Sequence, residues 1–442
     1  MQSIWEKEGN FTTFQTLNRD ITAEAVVIGG GLCGILTAYF LQKQGIETVV
    51  LEANTIGSGQ THLTTAKITW QHGPIYQELL QTNHPAHAHL YAEAGMQAIE
   101  DYEALIRELS IPCHFERLPS CLYSKSPSGK LTLEREHTAY KQLSIPSSLY
   151  SKGEYTALCL SGQAQFHPLH FLDAVARNLT VYEHTKVLKV YKHEIFTDNH
   201  TVRADYIIFA CHYPFLIVPG FYFLKMHQER SYTVALSCTN TQDKLPPGMF
   251  YGLDADTPSI RTFQDTILLG GGGHRTGKGP IGCPYENLKM LAGQYFPGSP
   301  VTDKWSAQDC ITLDRLPLIG QYSVFRPYWY VATGFGKWGM TTSMTAARLL
   351  TNLICKRPTP YAALYAPGRA LTRTAVRNLF TELGTSTASL LTPGKRCSHM
   401  GCSLEYNPVE NTYDCPCHGS RFEADGTLLD GPARKDRNSG TD

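Results

Sequence analysis

Two short motifs of cysteine and histidine near the end of the 442-residue chain constrain its fold and chemistry more than any other feature. Cys397 and His399 form a C-x-H unit, and Cys415 and His418 form a C-x2-H unit after a gap of fifteen residues. Structural zinc fingers usually pair like ligands, with C-x2-4-C followed by H-x3-5-H. Here each unit contributes one thiolate and one imidazole, which indicates a metal centre shared by two loops. A mixed Cys/His zinc site is the alternative that this spacing leaves open.

The paired units resemble the Rieske family of iron-sulfur proteins. In that family two thiolates bind one iron of a [2Fe–2S] cluster and two neutral imidazoles bind the other. The four ligands that the resemblance implies are Cys397, His399, Cys415 and His418. It also implies a disulfide between Cys402 and Cys417, because bc-type members of the family carry this extra pair.

The resemblance also bears on the reduction potential of the cluster. Bc-type motifs continue with a Ser and a Tyr whose hydroxyl groups stabilise the reduced cluster, whereas this chain has Ser420 followed by Phe422 at the Tyr position. Rieske potentials span roughly −150 to +300 mV and depend on such hydrogen bonds. With one donor missing, we expect a potential in the middle of that range.

A glycine-rich turn near the other end of the chain predicts a dinucleotide site. Gly29, Gly31 and Gly34 follow an apolar run and open a helical stretch at 32–44, and Glu52 ends the next apolar run. In this motif the glycines permit a tight turn, close approach of the backbone to pyrophosphate, and close helix–strand packing. The pyrophosphate lies at the helix N-terminus, and the acidic residue accepts hydrogen bonds from the ribose. Because strand, helix and acid occur in order, an ordinary glycine-rich turn is the weaker explanation.

A second set of motifs identifies the dinucleotide. A segment of small residues at 56–67 follows Glu52, and the segment 305–320 leads to a strand at 329–332 and a glycine-rich turn at 333–340. This order resembles the D-amino-acid oxidase/glycine oxidase family of FAD enzymes over about residues 22–355. The resemblance implies FAD rather than NAD, since the late glycine-rich turn covers the flavin in that family. Besides the first three glycines and Glu52, the FAD-binding residues that it implies are Thr64, Thr65, Ala66, Val187, Gly334, Gly336, Lys337, Trp338, Gly339 and Met340.

Together the two ends resemble bacterial FAD-dependent oxidoreductases with a Rieske domain fused at the C-terminus. The predicted fold is α/β, with a Rossmann-like FAD-binding domain and an antiparallel-sheet substrate domain, followed by a small, mainly β, Rieske domain. The predicted boundaries are an arm at 1–22, an oxidoreductase at 23–355, a linker at 356–374 and a shortened Rieske domain at 375–442. Within the oxidoreductase we assign about 23–75, 160–215 and 305–355 to FAD binding, and about 76–159 and 216–304 to the substrate domain. So short a Rieske segment must rely on its cluster, its disulfide or the FAD domain for stability.

The resemblance implies oxidation of a small amine or amino-acid-like substrate. Electrons would pass one at a time between the flavin and the cluster, and then to or from an external partner. Candidate catalytic residues beside the flavin are Lys67, His72, Arg230, His274 and Lys337. Arg230 or Arg275 would clamp a substrate carboxylate through two hydrogen bonds. Two other functions stay open: a flavin oxidase that reduces dioxygen with a vestigial Rieske segment, and a non-enzymatic electron-transfer module.

The net charge, the apolar runs and the cysteines of the chain limit its expected binding partners and cellular compartment. Lys plus Arg and Asp plus Glu both number 39, and the resulting formal charge of zero favours neither nucleic acid nor an anionic membrane. The sequence has no signal-peptide pattern and no run of 18 apolar residues, so we expect a cytoplasmic protein without a membrane span. Nine of the 13 cysteines are scattered between Cys33 and Cys355, which is typical of free thiols in a reducing compartment.

Overall fold

The apolar runs of the chain form strands and helices in a computed structural model that describes residues 2–7, 9, 11–82, 85–238, 247–279 and 282–437. The last five residues of the predicted Rieske domain, 438–442, therefore lie outside the described residues. In chain order the strands are β1 (Ile21–Ile28), β2 (Thr48–Leu51), β3 (Lys67–Ile68), β4 (Glu116–Ser124), β5 (Ser148–Lys152), β6 (Tyr155–Gln165), β7 (Thr180–Tyr182), β8 (Lys189–Tyr191), β9 (Glu194–Phe196), β10 (Thr201–Phe209), β11 (Met226–Ser237), β12 (Met249–Gly252), β13 (Ser259–Phe263), β14 (Thr266–Arg275), β15 (Val301–Thr312), β16 (Leu318–Ser323), β17 (Arg326–Thr333), β18 (Glu405–Asn407), β19 (Thr412–Asp414), β20 (Arg421–Glu423) and β21 (Leu428–Asp430). The α-helices are α1 (Leu32–Lys43), α2 (Gln60–Leu63), α3 (Tyr76–Thr82), α4 (Pro85–Glu108), α5 (Pro127–Gln142), α6 (Pro168–Ala176), α7 (Pro284–Tyr295), α8 (Gly339–Ile354), α9 (Ala362–Tyr365) and α10 (Arg373–Leu391), and single 3-10 turns lie at Ile4–Glu6 and Tyr222–Leu224.

The first sheet is the Rossmann-like one. Its strand order is β16-β17-β10-β1-β2-β7, and the β8–β9 hairpin joins it beside β10. β1 pairs in parallel with β2 and β10, so that Val27 lies opposite Val50 on one side and Ile208 on the other. These three side chains are fully buried, as expected where helices cover a parallel sheet. α1 and α8 pack against each other and bury their apolar residues in the same core.

The second sheet is almost wholly antiparallel. Its order is β15-β11-β14-β13-β12-β4-β6-β3, with β5 paired to β6, and the parallel pair is β12 with β4. β6 and β15 extend past the boundaries predicted at 159 and 304, and both belong to this sheet. The predicted combination of a Rossmann-like domain with an antiparallel-sheet domain is confirmed.

The second sheet also corrects one expectation about the cysteines. Cys121 on β4 lies directly opposite Cys159 on β6, with their Cα atoms 4.1 Å apart, and the two form a disulfide. The prediction that all nine scattered cysteines are free thiols is therefore wrong for these two. The other seven are free.

The C-terminal domain consists of α10 and a four-stranded antiparallel meander, β18-β19-β20-β21. Thr372 caps α10 by accepting a hydrogen bond from the Ala375 N–H at 3.1 Å. The buried apolar cluster of the meander is small and consists largely of the four motif cysteines, Leu404, Phe422 and Ala433. Among the described residues, no helix is long and apolar enough to cross a membrane.

Candidate active site and cluster site

A cavity of about 670 Å³ opens where the parallel strands end. Residues at the carboxyl ends of β1, β2, β10 and β17 line one side of it, and residues of β11, β14 and β15 line the other. Ligands of open α/β sheets bind outside the carboxyl ends of the strands. The cavity therefore lies where the sequence predicts the dinucleotide, between the two large sheets.

The glycine-rich turn has the geometry that a dinucleotide requires. Gly29 has a φ of +111°, in the region that favours glycine. A Cβ on Gly34 would lie 1.9 Å from the Gly29 carbonyl oxygen, so only glycine lets α1 pack this closely on the turn. A Cβ on Gly31 would meet only the Thr61 hydroxyl, at 3.4 Å, and Gly31 lines the cavity at the N-terminus of α1. This open helix N-terminus fits a pyrophosphate group.

Glu52 lies at the end of β2 and lines the same cavity. Its carboxylate accepts hydrogen bonds from the N–H groups of Gly30 at 2.6 Å and Asn54 at 2.8 Å. Burial raises the pKa of Glu52, and these two backbone donors act in the opposite direction. A carboxylate has about four acceptor sites, so two remain for the ribose hydroxyl groups of a bound dinucleotide.

The predicted FAD-binding residues converge on this cavity from distant parts of the sequence. Of the fourteen, all but Gly34 and Ala66 line it. Ala66 is buried with a φ of +52°, and its N–H donates to the Thr64 hydroxyl at 2.9 Å, so it shapes the turn that carries Thr64 and Thr65. The residues present therefore fit FAD along the whole cavity.

Two of the five predicted catalytic residues, Lys67 and Lys337, line the cavity. Lys67 Nζ donates to the Phe250 carbonyl at 2.7 Å and also bonds the Ser259 hydroxyl. Burial, assisted by a nearby arginine, lowers the pKa of Lys67 to about 7. Lys337 Nζ lies 2.9 Å from a carboxylate oxygen of Glu229. Burial acts to lower the pKa of Lys337, but the surrounding negative groups outweigh it and raise that pKa.

The structure places the two predicted histidines beside the cavity wall and not among its lining residues. His72 lies within 2.6 Å of both the Tyr91 hydroxyl and the Thr69 carbonyl, and its ring stacks on Trp338 at 5.0 Å. Burial lowers the pKa of His72 to about 3, so its ring is neutral. His274 stacks on Tyr232, which does line the cavity. Both histidines thus hold lining residues in place.

The two cluster loops share the same pattern of backbone hydrogen bonds. In the first, the Cys397 N–H donates to the Cys402 carbonyl at 2.9 Å, and the Gly401 N–H donates back to the Cys397 carbonyl at 3.0 Å. In the second, Cys415, Ser420 and Gly419 make the equivalent two bonds at 2.8 and 2.9 Å. Both glycines have positive φ, +76° and +81°, which closes each loop around its cysteine.

The imidazoles of the two loops meet in a way that fits a cluster. The ring centres of His399 and His418 lie 5.0 Å apart with their planes at 89°. Among the described residues, the Nδ1 atoms of both rings are buried without any hydrogen-bond partner. Burial lowers the pKa of both rings, to about 3 for His399, and keeps them neutral as iron ligation requires. These two Nδ1 atoms without hydrogen-bond partners, together with the buried thiols of Cys397 and Cys415, fit a [2Fe–2S] cluster.

The predicted disulfide between Cys402 and Cys417 is not formed in the structure, which leaves both thiols free. Their sulfur atoms, together with that of Cys415, lie within 4.8 Å of one another. The two loops therefore face each other as predicted, and the bond between Cys402 and Cys417 stays a prediction.

The Rieske loops dock directly on the wall of the cavity. Gln228 on β11 donates to the His418 carbonyl at 2.7 Å, and Gln308 on β15 donates to the Gly419 carbonyl at 2.8 Å. Side chains alternate between the two faces of a strand, and the neighbours of Gln308, Ala307 and Asp309, line the cavity. Sequence reasoning missed both glutamines. The sequence did carry a signal for them: polar residues recur at alternate positions of these two strands, whose side chains are otherwise mostly buried.

Both arginines proposed as substrate clamps belong to this domain interface. Arg230 forms a buried ion pair with Glu410 at 2.6 Å. Arg275 pairs with Glu382 at 2.5 Å and donates to the Pro416 carbonyl at 2.8 Å. Neither arginine lines the cavity. Their carboxylate partners come from the Rieske domain and its leading helix, so these guanidinium groups are occupied.

Comparison with known proteins identifies the family. Residues 24–353 match the family described as "FAD dependent oxidoreductase". The chain belongs to this family. Residues 380–439 of this FAD-dependent oxidoreductase match the Rieske [2Fe-2S] domain, so its cofactors are FAD and a [2Fe–2S] cluster.

One relative shares the whole architecture. The oxidoreductase is 32% identical to the "Putative Rieske 2Fe-2S iron-sulfur protein YhfW" of Bacillus subtilis (strain 168), over 98% of this chain and 96% of that protein. Its C-terminal part is also 49% identical over 39 residues to cytochrome b6-f complex iron-sulfur subunit 2 of Trichormus variabilis, which is 9% of this chain and 22% of that subunit.

Solved structures agree on the fold of the FAD-dependent oxidoreductase. Glycine oxidase from Geobacillus kaustophilus superposes with a TM-score of 0.67 and 18% identity, over 79% of this chain and 99% of that one. L-proline dehydrogenase from P. horikoshii gives a TM-score of 0.67 and 17% identity, over 79% of this chain and 97% of that one. The chain is thus an FAD-dependent oxidoreductase with an amino-acid-oxidase-type fold and a C-terminal Rieske domain.

Proposed function

We propose that this enzyme oxidises a small amine or amino-acid-like substrate in the cavity and that electrons pass singly between its flavin and its Rieske cluster. Bound FAD supplies hydride acceptance from a C–H bond next to nitrogen, and the Rieske centre supplies one-electron exchange. A chain that holds both is suited to couple a two-electron oxidation to an external one-electron partner.

The observation that carries the proposal is the shared wall between the two sites. Gln228 and Gln308 hold the backbone of the second cluster loop, and both neighbours of Gln308 on β15 line the FAD cavity. The two glutamines are joined by their own hydrogen bond at 2.9 Å. The backbone of β15 therefore lies between the cavity and the second cluster loop, which carries the predicted ligand His418. This close contact favours direct transfer between the cofactors over a vestigial Rieske segment.

On the substrate side we propose that Lys337 binds the carboxylate of an amino-acid-like substrate. Neither Arg230 nor Arg275 lines the cavity, whereas Lys337 lines it beside the glycine-rich turn and shares its ammonium with Glu229 at 2.9 Å. We assign Lys67 to the substrate amine. With its pKa near 7, Lys67 is about half neutral at that pH and accepts the proton that a substrate ammonium must lose before its C–H bond yields hydride.

Anaerobic mixing of the holoenzyme with a panel of small amines and amino acids tests the proposal. A substrate should bleach the flavin absorbance and then produce the EPR signal of the reduced Rieske centre. In the control variant His418→Ala the flavin should bleach without any Rieske signal. Flavin bleaching in the wild-type enzyme without a Rieske EPR signal would instead support an oxidase that uses dioxygen. No bleaching by any amine would support an electron-transfer module.

A further inference from the structure

A loop of the Rieske domain forms part of the FAD cavity. Residues 431–434, which follow β21, all line the cavity. The loop is anchored to both domains: the Ala433 N–H donates to the Ser420 hydroxyl of the cluster loop at 2.9 Å, and Gln228 of β11 donates to the Gly431 carbonyl at 3.1 Å. The cluster-carrying domain thus contributes a wall to the dinucleotide site of the other domain.

Arg434 is the last residue of this wall and lies beside the half of the cavity that would hold adenosine diphosphate. Its carbonyl accepts a hydrogen bond from Lys186 Nζ at 3.4 Å, and its guanidinium lies 5.4 Å from the centre of the Phe215 ring. The residue before Lys186, Thr185, bonds the backbone carbonyl of Glu52 at 2.8 Å. Arg434 is therefore close to the segment that carries the ribose-binding carboxylate.

The charge around Arg434 points to an anionic ligand. Arg434 is exposed, and among the described residues no carboxylate lies within ion-pair distance of its guanidinium. Its guanidinium is therefore available to an anion that enters the cavity. The other cavity-lining cations already have partners: Lys337 contacts Glu229, Lys67 bonds groups of the second sheet, and Lys186 Nζ donates to the Arg434 carbonyl. A pyrophosphate carries negative charge that matches the planar fork of an arginine.

We propose that Arg434 of the Rieske domain binds the pyrophosphate of FAD, so that the dinucleotide site is complete only when the two domains are docked. FAD then stabilises the docked Rieske domain by the same free energy that docking contributes to FAD binding.

FAD release from the cluster-loaded, full-length holoenzyme tests this assignment, with ADP and adenosine as competitors of FAD rebinding. Arg434→Ala should weaken the binding of FAD and of ADP about tenfold, equivalent to about 1.4 kcal/mol. Adenosine, which has no phosphate, should compete equally well in both proteins. Arg434→Lys should restore part of the ADP affinity because it keeps the charge. Lys435→Ala, at the exposed neighbour that does not line the cavity, is the matched control and should match the wild type.

Two results would overturn the assignment. One is wild-type affinity of Arg434→Ala for FAD and ADP. The other is an equal loss of ADP and adenosine binding, which would place Arg434 on the adenine ring. The Rieske EPR signal of each variant, measured before FAD release, shows that the cluster domain is folded. If Arg434→Ala lacks that signal, ADP binding by Arg434→Lys is compared with ADP binding by Lys435→Ala. The Arg434→Lys variant should still bind ADP more tightly at low salt than at high salt.

Discussion

Replacing Glu410 by Gln should loosen the Rieske domain from the oxidoreductase. Glu410 lies 2.6 Å from Arg230, and the two side chains are only 6% and 2% exposed. The other side-chain partners of Arg230 are neutral, Ser306 and Gln308. Glu410→Gln therefore leaves the buried guanidinium without an ion-pair partner among the described residues.

The magnitude follows from the burial of this pair. Removing one partner of a buried ion pair costs about 3–5 kcal/mol, because the other charge stays buried. The glutamine amide keeps an acceptor oxygen, and one retained hydrogen bond returns about 1 kcal/mol. Arg421, which also contacts Glu410, keeps Asp414 at 3.2 Å and Asp430 at 3.0 Å. We expect the free energy of unfolding of the Rieske domain to fall by about 2–4 kcal/mol.

Urea titration of the holoenzyme measures this change, with visible circular dichroism reporting the cluster domain and flavin fluorescence reporting the FAD domain. The cluster transition should shift to lower urea ahead of the flavin transition. Glu108→Gln is the control, since its pair with Lys43 is about half exposed and worth at most about 1 kcal/mol. A Glu410→Gln shift no larger than that of Glu108→Gln would refute the reasoning, because it would mean that Arg230 is solvated when the domains are docked.

Four further predictions concern the cofactors and the interface. His418→Ala should abolish the Rieske EPR signal and leave FAD bound, and a zinc-loaded wild-type protein after reconstitution with iron and sulfide would contradict the ligand assignment. Glu52→Ala should purify largely without flavin, as absorbance at the flavin band will show, because the ribose loses its acceptor; full occupancy would place the ribose elsewhere. Phe422→Tyr should raise the cluster potential in voltammetry, and an unchanged or lower value would mean that this buried ring does not face a ligand thiolate. Burial acts to raise the pKa of Glu382, but hydrogen bonds from His227 and Arg275 outweigh it and lower that pKa to about 2. The ionised Glu382 therefore stabilises the fold above pH ~4.5, and this contribution is lost as pH falls toward 2. Glu382→Gln should flatten the acid-induced release of the Rieske domain, measured by proteolysis between pH 5 and pH 3. An unchanged pH profile would exclude this carboxylate as the cause of the release.

The parts of the site that depend on neighbours in the chain were predictable from the sequence. Each cluster loop is closed by bonds between residues at most five apart, so the motif spacing alone determines its geometry. The glycine turn is equally local, because Gly34 must pass the carbonyl of Gly29 within one helical turn. The glycine-rich turn and the two cluster loops follow from such short-range constraints.

Tertiary packing decided which polar side chains line the cavity and which lie at the domain interface. Strand alternation predicts that Arg230 and its neighbours point to opposite faces, but it does not predict that a domain 180 positions away covers the face of Arg230. The same holds for Cys121 and Cys159, which are 38 residues apart and become partners through strand register. Arg434 lies far from the glycine motif in sequence and reaches the FAD cavity only because the Rieske domain docks there. Contacts of this kind arise from the relative placement of folded units, which local residue patterns do not encode.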